Sequence, residues 1–430
     1  MANKSEPLIT DRETFTVEIQ PTGRRICVQH GNSLLKAAQQ AGVELVAACN
    51  GAGFCGTCRV RLVEGKLTPP SEHEADLLGS QLLEQGYRLA CCAEPLSDVQ
   101  IEIPRASMVV GQRLQVEGAE YFIAPAPRVT GLDLVLSPPE LTDLRADLER
   151  VNQVLAVRGW KHIQGSLKSL GQFSDQLRKN NWIVSLAVEK GEKTTRLVSV
   201  FQQKTQLLGL AGDLGTTKLA LYLVDLESGA TLASIGIMNP QISYGEDVVS
   251  RIAFANEEKN NRFLLQTLLI DIINEGILTL CDQAEVAPNQ IVDAVFVGNT
   301  AIHHLFCGLP VRQLGSSPYV PSVAEEVEFY ASEVGLNLPT DAKVYMPAII
   351  AGFVGADHTA ALLATCIRNN GEPRFLIDIG TNTEISLAIG KKLYTCSTAS
   401  GPAFEGAHIR DGMRAAPGAI ERVIIDDNSV

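Results

Sequence analysis

The chain has 430 residues, of which 45% are hydrophobic and 20% are charged, and its formal net charge is −13. This length predicts two to four domains, and the composition is that of a globular rather than a disordered protein. The acidic balance argues against binding to nucleic acid or to an anionic membrane surface, because both need basic patches.

The N-terminal sequence MANKSEPLITDRETF has no apolar core after its lysine, so we expect no signal peptide. The most apolar long stretch, residues 345–367, is interrupted by Pro347, Asp357 and His358. A membrane span needs about 20 mostly uninterrupted apolar residues, so this stretch predicts buried core. We therefore expect a soluble, cytoplasmic protein with neither membrane nor nucleic acid among its partners.

Residues 15–103 predict a small β-rich unit. FTVEIQ and RRICVQ flank the turn PTG like the strands of a hairpin, and SLLKAAQQAGV has the apolar spacing of a helix that ends at Gly42. Six of the ten cysteines fall in the first 92 residues, which in a cytosolic chain indicates metal or redox use rather than disulfides. The other four predict buried free thiols: Cys281, Cys307, Cys366 and Cys396.

The N-terminal cysteines have the spacing of an iron–sulfur site. CNGAGFCGTC contains Cys49, Cys55 and Cys58, and YRLACC supplies Cys91 or Cys92 as a fourth ligand, giving C-x5-C-x2-C-x32-C with the former. Four thiolates hold a [2Fe–2S] cluster, two on each iron, and the glycines of the loop allow the backbone to curl around it. A zinc ribbon would more often show two C-x2-C pairs, and only one is present, so the spacing favours the cluster over zinc or inert thiols.

Residues 15–103 resemble the [2Fe–2S] ferredoxins, which have a β-grasp fold. The five-residue first gap matches the adrenodoxin-like branch of that family. In similar ferredoxins the last ligand follows Arg-Leu-Ala, so the resemblance favours Cys91 over Cys92. Cys27 falls on a predicted strand, and we expect it to lie in the core.

The middle of the chain carries no chemical motif. Residues 104–140 are rich in proline and predict a linker, and WIVSLAVEKGEKTTRLVSV alternates around EKGEK like a hairpin. A first helix is predicted from one apolar face with the spacing of Leu141, Leu144, Leu148, Val151 and Leu155. A second helix is predicted near Leu167–Leu177. We interpret this module as a spacer that positions the ferredoxin.

A strand–turn–strand motif occurs twice, as LAGDLGTTKLALYLVD at 210–225 and as FLIDIGTNTEISLAIG at 375–390. Such a repeat indicates a duplicated unit. Two facing turns can hold a nucleotide, with Asp213 and Asp378 binding Mg²⁺ through water. The candidate phosphate-binding residues in the two turns are Gly215, Thr216, Thr217, Gly380, Thr381 and Asn382. A single Asp-x-Gly-Thr motif is weak, and the matched pair is considerably stronger.

The repeated turns resemble those of the ATPase superfamily of actin, sugar kinases and heat-shock chaperones. NPQISYGEDVVSRI, VFVGNTAIHHLFCGLP, AGFVGADHTA and GPAFEGAHIRDGMRAAPGAIERV extend the resemblance to the reductive activators of corrinoid proteins. It implies a multidomain α+β and α/β protein whose ATPase domain should continue well beyond residue 430, so that its second half is incomplete here. This chain is then a fragment, or the remainder is a separate chain, or the domain is defective, which argues against ATP hydrolysis by this chain alone. The implied domains are a ferredoxin at 1–103, a linker at 104–140, an α+β module at 141–206 and an actin-like ATPase domain at 207–430.

Such activators return the cobalt of a methyltransferase's corrinoid protein from Co(II) to Co(I), passing one electron from the cluster with the use of ATP. The resemblance thus implies a [2Fe–2S] cluster and Mg·ATP as cofactors, and a corrinoid protein and an electron donor as partners; it is compatible with a homodimer. An alternative is a ferredoxin-type carrier whose ATPase-like half only binds a partner. A kinase fused to a ferredoxin is a third reading, which the lack of a sugar-site motif disfavours.

Overall fold

The computed structural model describes residues 14–20, 24–41, 43, 45, 47, 49, 51–104, 107, 124–245, 247–367, 372–380 and 382–400. The chain forms two compact units. The first joins the N-terminal residues up to Gly111 with Pro240–Glu257, and the second joins Gln112–Asn239 with the residues from Glu258 onward.

The first unit contains a five-stranded sheet with the order β2-β1-β5-β3-β4. Its elements are β1 (Thr14–Gln20), β2 (Arg24–Gln29), α1 (Leu34–Gln40), β3 (Arg59–Glu64), α2 (Glu72–Glu84), β4 (Tyr87–Leu89) and β5 (Val99–Glu102). β1 pairs antiparallel with β2 and parallel with β5, while α1 packs its apolar side chains into the common core. The predicted hairpin, helix and β-grasp fold are confirmed.

The prediction that Cys27 lies in the core is wrong, because the side chain is exposed. β2 is the edge strand of the sheet, and side chains alternate between its two faces. Val28 therefore points into the core and its neighbour Cys27 points to solvent.

The first unit also includes a segment that follows the first repeated motif in the sequence. Residues Pro240–Tyr244 form a 3₁₀ turn, and Val248–Glu257 form helix α5. The fully buried Arg251 donates from Nε to the carbonyl of Gly245 at 2.8 Å. Gln39 of α1 donates from Nε2 to the carbonyl of Ser243 at 2.7 Å. The structure therefore groups this segment with the ferredoxin, while the domain ranges given above stay a prediction.

The second unit begins with a four-stranded sheet in the order β6-β8-β9-β7. Its elements are β6 (Val129–Val135), α3 (Asp147–Val157), β7 (Ile163–Gln164), α4 (Leu167–Lys179), β8 (Ile183–Lys190) and β9 (Thr195–Gln202). The predicted hairpin is β8–β9, which closes where Lys190 pairs with Thr195. The predicted second helix is α4.

The first predicted helix of this module starts later than its apolar spacing indicates. Leu148, Val151 and Leu155 lie on α3, but Leu141 and Leu144 precede it and are 97% and 81% exposed. The Asp143 carboxylate accepts hydrogen bonds from Arg145 and Arg150 and forms ion pairs with both, which holds the preceding residues in a turn. A helix cannot extend through that turn, so this part of the prediction is wrong.

A six-stranded sheet in the order β12-β11-β10-β13-β15-β14 forms the centre of the second unit. β10 pairs antiparallel with β11 and parallel with β13. The strands are β10 (Leu208–Leu214), β11 (Lys218–Asp225), β12 (Thr231–Met238), β13 (Ile291–Gly298), β14 (Val327–Tyr330) and β15 (Lys343–Met346). The helices around them are α6 (Asn261–Gln283), α7 (Thr300–Phe306), α8 (Ala331–Val334) and α9 (Ala356–Ala364).

The second repeated motif forms a separate three-stranded antiparallel sheet, β16-β17-β18. Its strands are β16 (Arg374–Ile379), β17 (Asn382–Ile389) and β18 (Lys392–Ala399). β16 and β17 repeat the strand–turn–strand arrangement of β10 and β11. The duplication predicted from sequence is therefore present in the fold.

Among the described residues, one helix, α6, has the length and apolar composition that a membrane span requires. It lies against the large sheet. A Cβ atom added at its Gly276 would approach Leu221 Cδ1 to 2.6 Å and Ile237 Cδ1 to 2.8 Å. Such close packing on β11 and β12 is that of a core helix.

The four scattered cysteines divide into two groups. Cys281 on α6 is buried as predicted and Cys307 is partly buried, but Cys366 and Cys396 are exposed. Cys366 follows the end of α9, and Cys396 lies on the edge strand β18. The prediction of buried thiols is wrong for these two positions, since no element within the described residues covers either side chain.

Candidate electron-transfer and nucleotide sites

The cysteine loop between α1 and β3 is shaped by glycines. Gly51, Gly53 and Gly56 have φ angles of +83°, +86° and +69°, a region that side chains disfavour. A Cβ atom at Gly53 would lie 3.3 Å from Cys92 Sγ. The glycines thus let the backbone curl tightly and bring the loop against the chain after β4.

The thiols that this loop gathers fall into two pairs. The Sγ atoms of Cys58 and Cys91 lie 3.3 Å apart, and the Cys49 and Cys55 thiols are hydrogen-bonded to each other. The hydrogen bond with Cys91 lowers the pKa of the Cys58 thiol to about 7, and the same bond raises the pKa of Cys91. Two pairs of thiols fit a [2Fe–2S] cluster, because each iron takes two thiolates. The lowered pKa of Cys58 favours the thiolate that binds iron.

Cys92, the alternative fourth ligand, lies beside these pairs. Its Sγ atom is 3.6 Å from Cys91 Sγ. Burial raises the pKa of its thiol, in contrast to that of Cys58. In this geometry Cys91 is the thiol that contacts Cys58, and Cys92 is its neighbour.

A buried ion pair that sequence reasoning missed supports the strand before these cysteines. Glu74 on α2 is fully buried, and Arg88 on β4 donates to both of its carboxylate oxygens at 2.9 Å. The same carboxylate accepts the backbone N–H of Leu89 at 2.7 Å, and Arg88 Nη1 donates to the carbonyl of Thr68. The pair fixes β4 two residues before Cys91. Glu74 and Arg88 belong to no motif and lie on different elements, so the sequence gives no signal that they form a buried pair.

The first repeated turn lies between β10 and β11. A Cβ atom at Gly215 would meet the carbonyl oxygen of Lys218 at 2.3 Å, so the turn closes only around a glycine. Asn299 Nδ2 donates to Thr216 Oγ1 at 2.9 Å, and Asn239 donates to the carbonyls of Gly215 and Thr217 at 2.9 and 3.0 Å. Two asparagines therefore hold the turn in place; neither was identified from sequence.

The second repeated turn lies between β16 and β17. The Gly380 N–H donates to the carbonyl of Asn382 at 3.1 Å, and Ser400 Oγ donates to the carbonyl of Gly380 at 3.2 Å. Thr381 lies outside the described residues. A Cβ atom at Gly380 would lie 3.2 Å from the carbonyl oxygen of Asn382, a looser approach than the 2.3 Å at Gly215.

Carboxylates from both turns interact in one recess of the second unit. Desolvation by the surrounding protein, and secondly the charge of Asp378, raise the pKa of Asp213 to about 6, although its side chain remains open to solvent. Asp357 on α9 has its pKa raised to about 7, first by burial and then by Asp213, Glu384 and Asp378. Burial and Asp378 also raise the pKa of Glu384, whose carboxylate accepts from Ser397 Oγ at 3.0 Å.

The recess therefore brings together the two predicted aspartates and adds Asp357. That residue was seen in the sequence only as an interruption of an apolar stretch. Its position depends on Gly355, where a Cβ atom would lie 2.4 Å from Asn299 Cα. The pattern Gly-Ala-Asp at a helix start is the signal that could have identified it.

The recess fits a cation held indirectly. The pKa values of these carboxylates are raised first by desolvation and then by their mutual repulsion, and a divalent cation would offset both. Within the described ranges, no group of three or more carboxylate, histidine or cysteine side chains directly surrounds one point. Mg²⁺ keeps several waters and takes one or two carboxylates together with phosphates, so this spacing suits a magnesium–nucleotide complex.

His303 and His304 are both fully buried on α7. His304 shares hydrogen bonds with the carbonyl of Thr300 at 2.8 Å and the N–H of Ser322 at 3.0 Å. Burial lowers the pKa of His303 to about 4, so it is neutral. His303 therefore packs in the core, and His304 also bonds to the backbone of Thr300 and Ser322.

The fold and the two sites define an iron–sulfur protein fused to an actin-like fold. Four family profiles match in chain order: a 2Fe-2S iron-sulfur cluster binding domain at residues 17–96, the RACo linker region at 119–206, the RACo middle region at 208–370 and the C-terminal ASKHA domain of RACo at 372–430. A solved structure of a reductive activator for corrinoid, iron-sulfur protein is 32% identical with a TM-score of 0.62, covering 96% of this chain and 67% of that one. The chain belongs to the family of reductive activators of corrinoid proteins.

Two curated relatives agree. The corrinoid activation enzyme RamQ of Eubacterium limosum is 33% identical over 244 residues, 56% of this chain and 41% of the relative. The [Co(II) methylated amine-specific corrinoid protein] reductase of Methanosarcina barkeri is 33% identical over 222 residues, 50% of this chain and 40% of the relative. The chain thus spans about two fifths of the length of these relatives.

Proposed function

We propose that this chain is an ATP-dependent reductive activator that passes one electron to the Co(II) of a corrinoid protein in a methyltransferase system and so produces Co(I). The observation that carries the proposal is the pairing of four thiols in the first unit, Cys49 with Cys55 and Cys58 with Cys91. Further support comes from the two strand–turn–strand units of the second unit, whose aspartates Asp213 and Asp378 interact through their charges. Neither feature alone points to this reaction.

The electron balance is simple. A [2Fe–2S] cluster held by the four paired cysteines would accept one electron from a donor and supply it to the Co(II) of the partner, giving Co(I). The cysteine loop would hold the cluster near the surface, since Phe54 between Cys49 and Cys55 is 63% exposed. An exposed aromatic side chain beside the ligands gives a corrinoid partner a short path to the cluster.

The energy balance explains the need for ATP. Plant-type clusters have reduction potentials near about −400 mV, and the Co(II)/Co(I) couples of corrinoids lie lower. Each ~59 mV of unfavourable one-electron difference costs about a factor of ten in the equilibrium constant. Nucleotide binding or hydrolysis in the second unit would have to supply this difference by stabilising the productive complex.

The second unit would hold Mg·ATP between its two turns. Backbone N–H groups of Gly215 and Gly380 and the side chains of Thr216, Thr217, Thr381 and Asn382 would contact phosphate oxygens. Asp213 and Asp378 would bind Mg²⁺ through water. Support comes from the interaction of the two aspartates across the recess and from the asparagines that fix the first turn. We also propose a cytoplasmic location.

The test is a reduction assay with a Co(II) corrinoid protein, a strong chemical reductant and Mg·ATP, in which Co(I) is followed by its visible absorption. We expect Co(I) to form with the wild type and ATP together. It should be absent with Cys58→Ser, and strongly reduced with Asp213→Asn even though the cluster is intact. Co(I) formation that does not depend on ATP would favour the simple electron carrier, and no transfer to cobalt would overturn the proposal.

A further inference from the structure

A groove of about 1010 Å³ opens in the second unit, away from the recess with the aspartates. The strand β9 forms its floor, and α4 forms one wall. The other wall consists of two loops of the large-sheet region, Ala287–Gln290 and Asn337–Thr340. No step of the proposed electron transfer uses it.

The floor of the groove is an open sheet edge. β9 pairs with β8 along its length, but on its other side β7 reaches only Thr195 and Arg196. Residues Leu197–Gln202 all line the groove, and within the described residues they pair with no second strand. In an antiparallel pair, alternate residues direct their N–H and C=O groups away from the partner strand. The Gln202 carbonyl already accepts the N–H and the hydroxyl of Thr205. The other outward-directed backbone groups of Leu197–Gln202 can accept a further strand.

The walls of the groove carry positive charge only. Its ionisable lining residues are Lys168, Lys179 and Lys204, and no aspartate or glutamate lines it. The ion pairs found among the described residues involve none of these three lysines, although the chain as a whole has a net charge of −13.

Three carboxylates that touch the lining residues are already engaged. Asp341 accepts hydrogen bonds from Ser166 and Ser169, Asp225 accepts one from Gln206 at 2.7 Å, and Asp133 accepts the backbone N–H of Lys204 at 3.2 Å. Within the described residues, none of these carboxylates forms an ion pair with the ammonium group of a groove lysine.

The face that α4 turns to the groove is polar except at Phe173. Lys168, Gln172, Gln176 and Lys179 all line the groove and recur at the spacing of one helical face. Phe173 and Leu177 of the same helix are buried in the core of the module. Amide side chains between two lysines can bond both to carboxylates and to a peptide backbone.

Lysines beside an edge strand often act only as a guard against unwanted pairing. A guarding role needs no space next to the strand. Here the groove volume of about 1010 Å³ is close to that of a six-residue strand, which is about 20 Å long, about 4.8 Å wide and about 10 Å deep and so fills about 960 Å³. The volume favours an occupant.

We propose that this groove binds an extended, acidic peptide segment of a partner protein, which adds to the open edge of β9 as a further strand. Its backbone pairs with Leu197–Gln202, and its carboxylates reach Lys168, Lys179 and Lys204. Backbone pairing supplies affinity, and the charges select the segment. The inference does not depend on the proposed redox function.

The test uses the full chain and a pool of fluorescent heptapeptides in which glutamate or aspartate alternates with valine, isoleucine or threonine. Anisotropy should show binding of this pool and not of the same pool with lysine in place of the acidic residues. Lys179→Glu combined with Lys204→Glu should weaken binding at least about tenfold. A matched control, Lys161→Glu with Lys193→Glu, changes exposed lysines of the same module outside the groove and should have little effect.

Two further readouts separate strand addition from general charge attraction. N-methylation of alternate peptide bonds, which removes N–H donors from the peptide but keeps its charge, should abolish binding. Hydrogen exchange of the amides in Leu197–Gln202 should slow on binding. The proposal is overturned if the acidic pool does not bind, if the N-methylated pool binds equally well or if both lysine variants weaken binding equally. It is also overturned if light scattering shows a dimer of the wild type that the Lys179→Glu, Lys204→Glu variant does not form, because a second copy of the chain would then occupy the groove.

Discussion

The cysteine site and the candidate nucleotide site differ in how their residues are distributed along the chain. Three of the four paired cysteines lie within ten residues of one loop. The fourth, Cys91, lies two residues after the strand β4, which pairs with the strand that follows this loop. Asp213 and Asp378 are 165 residues apart and interact only because two strand–turn–strand units fold into one recess. The first site should therefore respond to changes in single ligands, and the second to changes in burial and charge that several residues share.

The largest effect is expected at the ligands. Cys58→Ser should abolish the cluster, because one iron loses a thiolate of the Cys58–Cys91 pair. Iron content and visible absorption measure the loss. Cys92→Ser is the matched control, since its Sγ lies 3.6 Å from Cys91 Sγ but outside both pairs. A cluster that survives Cys91→Ser and is lost with Cys92→Ser would reverse the assignment of the fourth ligand.

The buried ion pair behind these ligands should give the next largest effect. Glu74→Gln would leave Arg88, which is nearly buried, without its counter-charge. Breaking such a pair typically costs about 3–5 kcal/mol. We expect the cluster absorption to be lost at a markedly lower urea concentration than in the wild type.

Glu72→Gln is the control for that experiment. Glu72 lies in the first turn of the same helix and is exposed, so its loss should shift the urea midpoint only slightly. Equal shifts in the two variants would mean that the ion pair does not anchor the strand before the cysteines.

The difference between the sites also decides what the sequence can predict. The cysteine spacing and the alternation of FTVEIQ and RRICVQ are local signals, and they led directly to the ligand candidates and the hairpin. Cys27 was misplaced because alternation does not tell which face of an edge strand is covered. Leu141 and Leu144 were wrongly assigned to the helix because Arg145 and Arg150 bond to Asp143 and hold a turn there. The spacing of apolar residues gives no signal of these contacts.

The nucleotide site was predictable only where the chain repeats itself. Asp213 and Asp378 were found because the motif occurs twice. Asn239, Asn299 and Asp357 belong to no repeat and reach the recess through tertiary packing, so their roles follow from contacts alone. For the same reason, the open edge of β9 could not be read from its alternating sequence.

Mg·ATP binding gives a smaller, graded effect. Asp213→Asn should weaken Mg·ATP binding at least about tenfold in calorimetry, or ~1.4 kcal/mol, because one of two carboxylates near the ion is lost. Asp225→Asn is the control: it lies at the other end of the same hairpin, where it pairs with Leu208. Unchanged binding in Asp213→Asn would place the nucleotide elsewhere and remove the contrast between the two sites.

The smallest expected effect is a dependence of stability on pH that is specific to the second unit. Asp357 has its pKa raised to about 7 and Asp213 to about 6, whereas an aspartate in an unfolded chain titrates near 4. Between about pH 4 and pH 7 the folded state thus binds more protons than the unfolded state. The free energy of unfolding should consequently fall as the pH rises through this range.

Both tryptophans of the chain, Trp160 and Trp182, lie in the second unit, so their fluorescence reports its unfolding. Without magnesium, wild-type stability in urea should be lower at pH 7.5 than at pH 5. Asp357→Asn removes the charge that the other carboxylates repel and should make the difference smaller, while Asp175→Asn, an exposed control on α4, should preserve it. Mg·ATP should also reduce the difference, because the cation stabilises the ionised carboxylates. A wild type that becomes more stable towards pH 7.5 would show that these carboxylates do not share one desolvated recess.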